Sequence, residues 1–324
     1  PIVYGILFYQ IIVQKTLGMA SLAVAFTAFW SLRYRIQGVI DLFLKYSQHG
    51  LYIGQIRKYM SYCSAVRFGD ITAPSFQSME LKNVSFGYVP GKTVLSNISM
   101  KINRGEKIAI VGYNGAGKST LISLLLHLYN PEHGEILYNG KSIEEFDSAS
   151  IHSRIGVVLQ DYRIFALPLS ENVLRDKFEE SDESRIRYAL KNACFESKLQ
   201  TLPDGICSEM TKEFYKDGVN LSGGESQKVA ISRIFASPFD VIIMDEPSAA
   251  LDPKAEHDLS INLAKHAKGK TVIIISHRLS TTCAMDKIYM FDGGKIIEEG
   301  SHSELMEAGG KYAQIFNMQA EKYQ

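Results

Sequence analysis

The sequence carries no surplus of either charge: its 35 Lys and Arg residues are matched by 35 Asp and Glu over 324 residues. Without a basic excess there is no electrostatic footprint for a nucleic-acid partner, and none is expected, although a local basic patch is compatible with a neutral total. Cysteine is scarce too. The four present (Cys63, Cys194, Cys207 and Cys283) are scattered, with no C-x-x-C pair and no metal-ligand spacing. Isolated cysteines of this kind suit a reducing cytosolic setting, where they serve as small core residues. The histidines, His302 included, form no ligand group either. Methionine is missing from the first position. The chain starts on Pro1 and is apolar at once, so it reads as a fragment and says nothing about a signal peptide. Its length suggests about two domains, each able to bury a core.

Charge is absent altogether from two early stretches. Residues 1–14 (PIVYGILFYQIIVQ) contain none, and after Lys15 neither do residues 16–32 (TLGMASLAVAFTAFWSL). The second stretch sits at the short end of the range for a membrane-spanning helix. Gly18, Ala20, Ser21, Ala23, Ala25 and Ala28 would let membrane helices approach closely. Trp30, Arg33 and Arg35 follow as an interfacial aromatic and cytoplasmic positive charges would. The simplest reading is the end of one span, a short outer turn at residues 14–16 and a second span returning to the cytoplasm. A buried helical hairpin in a soluble domain fits the same residues. Beyond it Ile36, Ile40, Phe43, Leu44 and Leu51 recur at helical spacing among polar residues, as in a helix continuing into water. Residues 69–78 (GDITAPSFQS) lack periodicity and read as a linker, with a domain boundary near residue 73.

Residues 107–120, KIAIVGYNGAGKST, organise the rest. Lys107 to Val111 have the length and apolar, β-branched content of a buried strand. Gly112, Gly115 and Gly117 allow a tight turn that gathers backbone N–H groups. From Lys118 the text becomes helical, so the helix N-terminus faces the turn and the two together make an anion site. The spacing G-x-x-x-x-G-K-S adds the Lys118 ammonium for β- and γ-phosphates and the Ser119 hydroxyl for Mg²⁺. Gly112, Tyr113, Asn114, Gly115, Ala116, Gly117, Lys118, Ser119 and Thr120 are the expected cradle of a nucleoside triphosphate. A glycine turn that merely connects strand to helix is the plainer alternative.

Further motifs follow in order: FGY at 86–88, IGVVLQDYRIFALPLSENV at 155–173, VNLSGGESQKVAISRIFA at 219–236, VIIMDEPSAALD at 241–252, TVIIISHR at 271–278 and GSHSEL at 300–305. With them, residues 79–324 resemble the ATP-binding cassette of an ABC transporter of the exporter type. The resemblance implies an α/β fold: a phosphate-loop NTPase core sheet with an antiparallel β subdomain and a helical subdomain, preceded by a fragment of an all-α transmembrane domain. The expected domains are 1–72 (transmembrane fragment), 73–78 (linker) and 79–324 (cassette).

It also implies roles. Tyr88 matches the aromatic that stacks on adenine; a strand tyrosine packed into the sheet is the alternative. Gln160 would touch Mg²⁺ and the attacking water, and the segment after it, with Phe165 ahead of Ser170, Glu171 and Asn172, would face the membrane domain. Residues 170–216 match the helical subdomain. Leu221, Ser222, Gly223 and Gly224 form the signature, a second anion site at a helix N-terminus, implied to hold the γ-phosphate of ATP bound to the other cassette. Glu225 stands where Gln is commoner. Asp245 and Glu246 end an apolar strand, which is costly for two acids unless a cation is near; Asp245 would hold Mg²⁺ and Glu246 would act as general base on water. Asp252 matches the residue that communicates across the cassette dimer, and His277 the one that contacts the γ-phosphate.

The expectation is therefore an ATPase using ATP and Mg²⁺ in a half-transporter. Its partners would be a second such chain, the same or different, a membrane, and a transported substrate of unknown class. The expected location is the plasma membrane, multi-pass, with the cassette in the cytoplasm. Within transporters, a peptide-processing type with an upstream protease domain is a rival. Outside them, a soluble ABC ATPase of DNA repair or translation usually carries paired cassettes or long inserts. A channel-like protein gated by ATP is disfavoured by the intact Glu246 and His277.

Overall fold

The structure, a computed structural model, describes residues 5, 6, 9, 13, 19–62, 66–247, 251–276 and 282–321. The chain divides into two units, residues 1–64 and 65–324. The first unit contains a helix over Met19–Met60. Its last turn carries Arg57 and Lys58, which complement the negative end of the helix dipole. The Arg33 guanidinium lies 4.9 Å from the centre of the Trp30 ring. Among the described residues no helix is long and apolar enough to cross a membrane. The uncharged, apolar stretch at the start of this helix covers residues 19–32, and Arg33 and Arg35 end it. The first expected span and the start of the second fall mostly outside the described residues.

The second unit has these strands among the described residues: β1 (Ser78–Phe86), β2 (Leu95–Asn103), β3 (Lys107–Gly112), β4 (His133–Tyr138), β5 (Lys141–Ser142), β6 (Ile155–Val158), β7 (Val241–Asp245), β8 (Thr271–Ile275), β9 (Lys287–Asp292) and β10 (Lys295–Gly300). They form an antiparallel sheet in the order β2-β1-β4-β5 and a second sheet in the order β10-β9-β3-β8-β7-β6. In the second sheet β3 pairs in parallel with β8 and β9, and β7 with β6 and β8. Only the β9–β10 hairpin is antiparallel there. Continuous apolar text such as Val241–Met244 is what a strand covered on both faces requires, and every residue of β7 is buried.

Helices fill the faces. The Lys118–Leu125 helix sits in a core shared by both sheets, with Leu81, Ile98, Ile110, Leu121 and Phe291. The Leu169–Leu174, Glu183–Asn192 and Gly223–Ala236 helices enclose a second core around Val173, Ile186, Leu190, Ile231 and Ile234. This is the arrangement the resemblance implies.

The division at residues 64/65 falls earlier than the boundary expected near residue 73. The described residues 66–78 lack periodicity because they are held by single anchors. Gly69 N–H donates to Phe146 O at 3.1 Å and Asp147 N–H to Ile71 O at 2.8 Å. The side chains of Ala73 and Phe76 are buried in the core of the second unit.

Candidate functional site

Parallel strands bring their carboxyl ends to one edge of the sheet, the edge at which open α/β sheets bind ligands. Here that edge gathers the phosphate loop after β3, the Gln160 segment after β6, and Asp245 and Glu246 at the end of β7. The loop owes its shape to its glycines. Gly117 caps the helix at φ +98° and Gly115 lies at φ +79°, conformations that residues with a Cβ adopt with strain. Lys118 is buried; its ammonium donates to the carbonyl oxygens of Gly112 (2.8 Å) and Tyr113 (2.9 Å). Burial pushes its pKa down, while the Asp245 and Glu246 carboxylates pull it back up.

The Ser119 hydroxyl donates to Asp245 Oδ2 at 3.2 Å. Asp245 is buried, and burial pushes its pKa up against the Ser119 hydrogen bond and the Lys118 charge. These hard oxygen donors are the type that Mg²⁺ takes, usually in company with substrate phosphates. Among the described residues no cluster of three His, Cys, Asp or Glu side chains could hold a metal by itself. Ser119 and Asp245 therefore fit a Mg²⁺ shared with a triphosphate.

Glu246 has φ +50°, a left-handed conformation unusual for a side-chain-bearing residue. Its N–H donates to Ile275 O at 3.0 Å, and the Gln227 side chain donates to its carbonyl at 3.3 Å. Gln160 Nε2 approaches Glu246 Oε2 at 3.5 Å, a loose contact that joins the ends of β6 and β7. The sequence gives no hint of Gln227, a buried amide on the helical face of the signature segment.

Tyr88 is half exposed, with its phenol donating to Thr120 Oγ1 at 3.3 Å. Phe86 and Tyr129 meet its ring edge to face at 5.1 and 5.3 Å. It therefore stands at the mouth of the phosphate loop instead of being packed into the sheet. Tyr129, in the turn after the phosphate-loop helix, is a brace that the sequence reading overlooked; its aromatic character was the available signal.

Ser222 caps the Gly223–Ala236 helix through a capping box. Glu225 N–H donates to Ser222 Oγ at 3.3 Å, and Ser222 N–H to Glu225 Oε2 at 2.8 Å. Glu225 is thus a structural choice, and Lys198 pairs with its other oxygen at 3.1 Å. Burial raises the Glu225 pKa, but the bonds from Ser222 and Lys198 outweigh it and leave the carboxyl below its usual range. Gly223 and Gly224 offer N–H groups with no backbone acceptor among the described residues. No hydrogen bond or ion pair among those residues joins this turn to the phosphate loop. Asp252 caps the Pro253–His266 helix, accepting from Ala255 N–H at 2.9 Å. His277 lies outside the described residues.

A family model described as ABC transporter matches residues 95–249. A putative multidrug export ATP-binding/permease protein of Bacillus subtilis, YgaD, is 37% identical over 242 residues, covering 74% of this chain and 41% of that protein. An ATP-dependent lipid A-core flippase of Alcanivorax borkumensis is 35% identical over 241 residues, with the same two coverages of 74% and 41%. Among solved structures, a bacterial Atm1-family ABC exporter with ATP bound matches with a TM-score of 0.77 at 31% identity, over 84% of this chain and 48% of that one. The chain thus spans well under half the length of the curated relatives it matches.

Proposed function

The chain belongs to the ABC transporter family, and from that premise we propose that it is the ATP-hydrolysing part of an exporter half-transporter, coupling a cassette dimer to export across a membrane. The observation that carries this reading is the convergence at one sheet edge of Lys118, the Ser119–Asp245 pair and the Gln160–Glu246 pair. The names of the relatives, a multidrug exporter and a lipid flippase, support export as the work being driven. A plasma-membrane location with the cassette in the cytoplasm goes with this reading. So does a second half-transporter chain as partner.

The chemistry asked of the protein is positioning and charge compensation. An ammonium has three N–H donors, and Lys118 uses two on loop carbonyls, which leaves one for a phosphate oxygen. Tyr88 offers its ring to the adenine, and the loop N–H groups from Gly112 to Thr120 surround the phosphates. Mg²⁺, held by Ser119 and Asp245 with Gln160 beside them, would supply neutralising charge. Glu246 accepts the proton of the attacking water, and Gln160 and His277 keep that water in line. Ser222, Gly223 and Gly224 present their donors to the γ-phosphate bound by the partner cassette, so that each site is completed by two chains.

The test is the mass of the full chain carrying Glu246→Gln, measured in detergent by light scattering with and without Mg²⁺-ATP. Removal of the base should trap a dimer that appears only with nucleotide. A chain that stays monomeric at saturating Mg²⁺-ATP would refute the self-complementary dimer.

A further inference from the structure

Two residues beyond Gln160, the Tyr162 phenol donates to the carbonyl oxygen of Gly223 at 2.9 Å. That carbonyl belongs to the same planar peptide group as the Gly224 N–H, so fixing one end fixes the direction of the other. A hydrogen bond to the oxygen also polarises the amide and strengthens its N–H as a donor. Gly224 N–H is one of the two signature-turn donors with no backbone acceptor among the described residues.

The phenol is not carried by a loose loop. Arg233, from the same helix as Gly223, donates to Arg163 O at 2.8 Å and to Asn172 O at 3.0 Å. The buried Asn172 amide donates to Phe165 O and Leu167 O, both at 3.0 Å, and its oxygen accepts from Phe165 N–H at 2.8 Å. Tyr162 therefore approaches the turn from a segment clamped at several backbone groups. At the other end of that segment Gln160 meets Glu246.

We propose that Tyr162 is a positioning residue for the Ser222–Gly224 turn, aligning the Gly223–Gly224 peptide for a phosphate oxygen and tying that turn to the Gln160 segment. The proposal rests on the dimer reading above. Its content is that one phenol links the half-site offered to a partner's nucleotide with the half-site around the chain's own nucleotide.

Tyr162→Phe keeps the ring and removes only the donor. In the full chain with Glu246→Gln, two quantities are read: the affinity of the monomer for a fluorescent ATP analogue, and the dissociation constant of the Mg²⁺-ATP dimer. The Gly224–phosphate hydrogen bond that the phenol aligns is worth a factor of about three to ten, and its loss enters twice in a symmetric dimer, so the dimer should weaken about tenfold to a hundredfold. Monomer affinity should stay unchanged. An unchanged dimer constant would overturn the proposal, and so would a parallel loss of monomer affinity, which is the mark of general structural damage. Absence of a dimer even with Tyr162 in place would overturn the dimer reading, and this proposal with it.

Discussion

Acidification should weaken the cassette through His127. This residue follows the phosphate-loop helix with φ +51°, and only 1% of its surface is exposed. Its Nε2 lies 3.1 Å from Asn130 Oδ1, and Nδ1 has no hydrogen-bond partner among the described residues. The carboxamide oxygen selects the tautomer with the proton on Nε2. A second proton would place an N–H on Nδ1 in a buried site with no acceptor among the described residues. Burial accordingly lowers the His127 pKa; the Asn130 hydrogen bond and Glu144 pull it up, and His152 pushes it down. The Phe68 ring also meets the imidazole in a T-shaped arrangement, with ring centres 4.9 Å apart.

The sign follows from proton counting. Above the unfolded value of about 6.5 both states are neutral and the group adds no pH dependence. Below it the unfolded chain takes up a proton that the folded chain refuses, so stability falls with pH until the lowered folded pKa is passed. The slope cannot exceed about 1.4 kcal/mol per pH unit for one proton, which bounds the loss between about pH 6.5 and 5.0 at about 2 kcal/mol. For a unit of this size that corresponds to a melting point lower by about 4–8 °C. The assay is calorimetry across this range on the natural chain and on His127→Asn, which tolerates the left-handed backbone and does not titrate. His266, whose pKa burial also lowers, contributes equally to both proteins. The decisive quantity is the difference between the two curves, and parallel curves would refute the reasoning.

Gly117→Ala should damage both stability and nucleotide binding. At φ +98° the new Cβ would sit 2.6 Å from Leu95 Cδ2, a fully buried side chain, so backbone strain of about 1–3 kcal/mol adds to a displaced core residue. Urea unfolding and nucleotide titration should both shift, and an unchanged unfolding midpoint would contradict the geometry. Lys198→Met combined with Glu225→Gln in a double-mutant cycle should give a coupling energy below about 1 kcal/mol, because both side chains are more than a quarter exposed. Salt should shrink it further, and a coupling indifferent to salt would mean the pair is not acting through charge.

The phosphate loop could be placed from sequence because its parts are contiguous: an apolar strand, glycines at the turn, a lysine and a hydroxyl opening a helix. The same holds for Ser222 and its helix, and for Asp245 at the end of an all-apolar strand. Contacts between distant segments left no such pattern. Neither Lys198 beside Glu225 nor Tyr129 beside Tyr88 follows from spacing, since each pair meets only through packing. Residues 66–78 present the opposite case. They contain Gly, Pro and Ser, the composition of a linker, yet Ala73 and Phe76 are buried in the core of the larger unit and backbone hydrogen bonds hold Gly69 and Ile71 to it.

Glu246 shows how far local rules reach. In a continuing strand successive side chains point to opposite faces, which would separate the two carboxylates of Asp245 and Glu246. The strand instead ends at Asp245, and Glu246 turns to φ +50°. That turn lets Asp245 meet Ser119 at 3.2 Å while Glu246 meets Gln160 at 3.5 Å. A left-handed glutamate is disfavoured and persists only where its surroundings hold it. The N–H bond to Ile275 fixes one side of the turn, and the buried Gln227 amide fixes the carbonyl on the other. The two acids can be read from the order of the letters; their usefulness as a pair depends on a glutamine nineteen residues earlier, on the helix whose first turn carries the Gly223 carbonyl that Tyr162 grips.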